Sequence, residues 1–180
     1  MTPTTPNDVI DFWREAGPAR WFAKDAAFDA AFRARFHDAH FEAAARRLDD
    51  WAATPDGMLA LLLLLDQFPR NAFRGSAHMF ATDPLARRFA RDALAAGFDA
   101  AVEPALRVFF YLPFMHSEDA ADQALSVACV ERLGGTSVAF AHEHRDIIAR
   151  FGRFPHRNAV LGRDSSETEI GFLAAGGFAG

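Results

Sequence analysis

The chain has 180 residues, of which 51% are hydrophobic and 13% aromatic, enough to bury a sizeable core in one compact domain and too much for a disordered or fibrous chain. Its formal net charge of −5 runs against broad nucleic-acid binding, which leaves a strongly basic face. With Cys129 as the only cysteine, neither an internal disulfide nor a thiolate zinc site is available.

The opening stretch MTPTTPNDVIDFW has no basic region followed by an apolar core, so it does not read as a signal peptide and a cytoplasmic protein is expected. Thr5 or Asn7 can cap a first helix through Phe12 and Trp13, which Gly17-Pro18 ends. From Asp25, the positions Phe28, Phe32, Phe36 and Phe41 recur at mostly helical spacing and predict an amphipathic helix with a phenylalanine stripe. Thr54-Pro55 opens a leucine-rich helix that Pro69 is expected to close. Its run Met58 to Leu65 falls well short of the roughly 20 apolar residues that span a bilayer, so it reads as a central, surrounded helix.

Asp83-Pro84 begins a helix that stops at Gly97, and Glu103-Pro104 begins another through Phe109 to Tyr111. Ser117 is placed as the cap of a helix ending at Gly134-Gly135, and Thr136 as the cap of one running through His142, His144 and Ile148. Ser166, with Glu169 three residues on, predicts a capping box for a last helix through Phe172. The tail, residues 176–180, is expected to fray. The whole reads as one all-α domain over residues 1–180, about eight or nine helices stacked as antiparallel hairpins. No fixed repeat of about 34 residues is visible.

Three segments carry a resemblance: Leu64-Leu65-Asp66-Gln67-Phe68-Pro69-Arg70-Asn71, Tyr111-Leu112-Pro113-Phe114-Met115-His116-Ser117-Glu118, and Arg150-Phe151-Gly152-Arg153-Phe154-Pro155-His156-Arg157-Asn158. From about Val9 to Leu173 the chain resembles an uncharacterised bacterial family, domain-of-unknown-function family 924. The resemblance implies an all-helical fold similar to the tetratricopeptide-like superfamily. It brings no established activity, so no residue inherits a catalytic role from it.

Each segment lies where a helix ends or begins, where side chains can gather on a rim without disturbing the core. Asp66, Gln67 and Arg70 supply a carboxylate, an amide and a guanidinium. His116 and Glu118 stand at a helix start, His144 on the helix leading into the arginine-rich loop, and Arg153, His156 and Arg157 within that loop. These nine residues are the expected ligand-binding set, converging on one pocket. The arginines 150, 153, 157 and 163 exceed their local acids, so an anionic small molecule or an acidic peptide is the expected partner, with no nucleic acid and no membrane.

As an alternative, His116 or His156 beside Glu118 could serve a hydrolase-type enzyme as general acid and base. A third reading treats the charges as internal ties of a structural or assembly protein. No metal and no cofactor are expected. His116, Glu118, His144 and His156 lack the i, i+4 spacing of a strong zinc motif, and no nucleophile elbow is present.

Overall fold

Local capping signals set most helix starts. In the computed structural model, which describes residues 3–180, Thr5 and Asp8 form a reciprocal capping box for α1, Pro6–Ala16. The short α2, Pro18–Trp21, turns the chain back so that the Trp21 indole N–H donates to the Trp13 carbonyl at 2.6 Å. Asp25 caps α3, Ala26–Ala44, whose Phe28, Phe32 and Phe36 are buried four residues apart. The next position in that series is His40, which is fully buried, while Phe41 lies off the stripe and is 39% exposed. A step of five residues rotates Phe41 out of line, so the expected stripe ends in a histidine.

Thr54 caps α4, Pro55–Leu62, with proline at its first turn as expected. Gly57 is required here because a Cβ would meet the Trp51 carbonyl oxygen at 2.0 Å. Pro69 does not end the helix. A π-helical turn, Leu63–Gln67, carries it on into α5, Phe68–Ala72. The reason is that proline offers no N–H and its ring crowds the carbonyl four residues before it, and one extra residue in the turn relieves both. The Phe68 N–H then bonds to Leu63 O, and the carbonyls left over are met from outside: His40 Nδ1–H donates to Leu64 O at 2.9 Å and Thr82 Oγ–H to Leu65 O at 2.5 Å.

The chain continues through α6, Asp83–Ala96, closed by Gly97 in the left-handed conformation, and α7, Phe98–Ala101. Pro104–Phe110, expected as an α-helix, is wound as a tighter 3-10 helix before α8, Leu112–Met115. Then come α9, Ala120–Leu133, α10, Ser137–Phe151, a 3-10 turn at Pro155–Arg157, and α11, Glu167–Ala174. The fold is all-α, with no strand among the described residues. None of the described helices is long and apolar enough to cross a membrane.

The residues group into two compact units. The first runs to Arg74 and resumes over His78–Pro113; the second comprises Gly75–Ala77 and Phe114–Gly180. In the first, Leu59 to Leu65 are buried as expected, as are Trp13, Phe32, Phe68, Phe109 and Phe110 on the same helix and on elements packed against it. In the second, α9 and α10 pack side by side across the Gly134-Gly135 turn. Ile147, Ile148 and Phe154 form a small core there with Phe151, Phe172 and Phe178 against it. The cap of α9 is Asp119, which accepts from Ala121 and Asp122; Ser117, placed there by its type, instead accepts from Asp119 N–H and donates to Asp122. The expected capping box of α11 is formed by Ser166 and Glu169.

Candidate functional site

In the first unit, Asp66, Gln67 and Arg70 stand together at the π-turn. Gln67 Nε2–H donates to Asp66 Oδ2 at 2.6 Å, and Arg70 Nη1 lies 3.2 Å from Asp66 Oδ1. Arg70 also donates through both Nη atoms to the two oxygens of Asp83, at 2.8 and 2.9 Å. Burial works against the Arg70 charge, but the carboxylates of Asp66 and Asp83 outweigh it and hold the guanidinium more firmly protonated than usual. Asp83, read from sequence only as a helix start, is thus the bidentate partner of Arg70, beside Asp66. Nearby, His40 Nε2 accepts from His78 Nε2–H at 3.4 Å, and the His40 ring stacks on Phe68. Burial, aided by His78 and His37, pushes the His40 pKa below its ordinary value despite the bond to Leu64.

In the second unit, the arginine-rich loop is clamped at several points. Arg153 donates through Nε and Nη2 to the two oxygens of Glu169, at 2.6 and 2.8 Å, and through Nη2 to Asp164 O. Glu118 accepts from the Phe154 N–H at 2.9 Å and from both Nη atoms of Arg163, at 2.7 and 3.0 Å. Burial would raise the Glu118 pKa, but these bonds lower it, with Arg157 adding a smaller effect. Arg153 likewise holds the Glu169 carboxyl well below its usual range, joined by the Ser166 N–H.

The remaining sequence-expected residues form an imidazole cluster. Arg157 is only 7% exposed, lies 4.4 Å above the centre of the Phe154 ring, and donates to His116 O at 2.9 Å. The His116 and His144 rings are 6.5 Å apart, and His144 Nδ1–H donates to Phe140 O at 2.8 Å. Phe178 packs on His144 at 4.5 Å and on His156 at 5.1 Å. Instead of leading away, the last residues turn back through Gly176, and Gly177 passes so close to Phe172 that a Cβ would overlap its ring. His156 Nδ1 is buried and makes no hydrogen bond among the described residues. Burial, then Arg157 and His144, push the His156 pKa down to about 3, so its ring is neutral at physiological pH.

Chemically, this is a set of imidazoles, that of His156 neutral, beside one fixed cation, flanked by carboxylates that arginines already occupy. No group of three His, Cys, Asp or Glu side chains among the described residues is placed to hold a metal ion. Sequence reading missed His40, His78, Asp83 and Phe178. Only His40 left a signal, as the fourth position of the phenylalanine series.

The profile of a family described as "Bacterial protein of unknown function (DUF924)" matches residues 9–177. The solved structure of the Protein of Unknown Function ATU0120 from Agrobacterium tumefaciens is 56% identical, with 94% of this chain and 97% of that chain covered and a TM-score of 0.93. No curated protein matches the chain. A profile match over nearly its whole length, starting at the first helix and including all three signature segments, carries the conclusion: this chain belongs to the DUF924 family.

Proposed function

We propose that the chain is a binding protein for a small anion, a phosphate or a carboxylate including that of an acidic peptide, taken up in the second unit by His116, His144, His156 and Arg157. The observation that carries this reading is the buried, unpartnered Nδ1 of His156 beside the Arg157 guanidinium. A buried polar nitrogen without a partner is costly, and a ligand oxygen would satisfy it. Arg157 is already ordered by the Phe154 ring and His116 O, so it can meet an anion with little ordering cost. Phe178 lies across the imidazoles, so an anion enters by passing or displacing it.

The bidentate pairs favour a second role for Arg153, Arg163 and Arg70: each is a tie between segments, not an anion ligand. A general acid or base works best with a pKa near the operating pH, and a His156 pKa of about 3 weighs against His156 as the acid or base of the hydrolase alternative.

Thermal unfolding against phosphate, sulfate and an acidic peptide tests the proposal. Ligand at about 100 times its dissociation constant should add about 2.7 kcal/mol to the wild type, and His156→Ala or Arg157→Ala should lose that gain. Arg153→Ala should lower stability without ligand yet keep the anion response. If no anion stabilises the wild type more than the His156 and Arg157 variants, the anion site does not exist and the internal ties account for the loop.

A further inference from the structure

A separate open groove of about 520 Å³ lies in the second unit, between α10 and α11. Its walls are Phe140, Ile147 and Phe151 of α10 and Phe172 of α11. Phe140 is 54% exposed, an unusual cost for a large apolar ring that faces only water. Positions 140, 143, 147 and 150 recur at three- and four-residue steps, so Glu143 and Arg150 share this face with the apolar residues.

Those two charges set the character of the groove. Both are exposed, and neither makes an ion pair within the described residues. The Arg150 guanidinium is held in place 4.6 Å from the Phe151 ring centre and 5.7 Å from that of Phe172. The third charge on this face, Asp146, is neutralised by Arg145 of its own chain at 2.7 Å. Glu143 and Arg150 are therefore opposite, uncompensated charges seven residues apart, about 10 Å along one helix face.

A face with one free charge of each sign, Ile147 between them and the apolar rings of Phe140 and Phe151 beyond them, is complementary to itself when turned end for end. A two-fold axis passing beside the level of Asp146 and Ile147 would set Glu143 of each copy against Arg150 of the other, twice over, and bring each exposed Phe140 ring to the Phe151 end of the other copy's α10. A ligand of a single sign would match only one end. We infer that this groove is the contact surface between two copies of the chain, joined through antiparallel α10 helices.

Sedimentation velocity and light scattering across a concentration series read this directly. The wild type should form a dimer, and Glu143→Arg or Arg150→Glu should each raise the dimer dissociation constant at least about tenfold, because like charges then face each other at both ends. An equimolar mixture of the two variants should restore the dimer, since each supplies the charge that the other lacks. Phe140→Asp, at an exposed position, should also give monomers with an unchanged helical spectrum. A wild type that stays monomeric up to about 0.1 mM, a dimer indifferent to the single reversals, or a mixture that fails to reassociate would overturn the inference.

Discussion

His40 and His156 are both held neutral, each mainly by burial, and both therefore have folded-state pKa values below the ordinary 6.5. As pH falls through 6.5, the unfolded chain takes up protons at these sites that the folded chain refuses, so stability is full above that pH and declines toward about 3. The carboxylates of Glu118 and Glu169 add to the loss further down, since their folded values lie below 4.5 and their contribution disappears as they protonate. Urea midpoints measured between pH 7.5 and about 4 should fall steadily. His156→Gln, which cannot titrate, should flatten that slope, and an identical slope in the variant would show that the imidazole is not buried as described. The His40 ring offers a spectroscopic check: its proton should sit on Nδ1, facing Leu64 O, and leave Nε2 to accept from His78.

At the scale of elements, the leucine helix depends on groups well outside it. Thr82 and His40 satisfy the two carbonyls that the π-turn releases, so the turn is as much a product of α3 and the start of α6 as of its own sequence. Thr82→Val keeps the shape of the side chain but leaves Leu65 O buried without its donor, and should cost about 1–3 kcal/mol in chemical unfolding. Leu62→Ala should cost about 2–5 kcal/mol, because Leu62 is buried on a helix with no solvent-facing side over this stretch. A loss below about 0.5 kcal/mol in either variant would mean that its environment is wrongly described. In the second unit, Glu118→Ala removes both acceptor oxygens that join the Phe154 N–H to Arg163. The expected result is a loss of about 1–3 kcal/mol and faster amide exchange at Phe154, with exchange in α3 unchanged.

For the molecule as a whole, the helical content was legible because caps and breakers act within a few residues: Thr5 with Asp8, Thr54 with Pro55, Gly97, Gly152 and Ser166 with Glu169 all lie where their types place them. The burial of Leu61 to Leu65 was legible too, since a run apolar on every side has nowhere else to go. The candidate site was legible only as a supply of residue types. Arg70 meets Asp83 across 13 positions, Arg153 meets Glu169 across 16 and Glu118 meets Arg163 across 45, and nothing in the local pattern says which acid will take which arginine. The apparent cationic excess of the loop therefore shrank once Glu118 and Glu169 were in place, each held by an arginine of the loop. Pro69 shows the same division within one helix. Its missing N–H is a local fact that the sequence alone determined, and it demanded a break in the hydrogen-bond ladder. Whether that break ended the helix or became a π-turn was decided only by the tertiary structure, which put the donors of His40 and Thr82 beside the freed carbonyls, and a buried carbonyl is stable only where a donor reaches it.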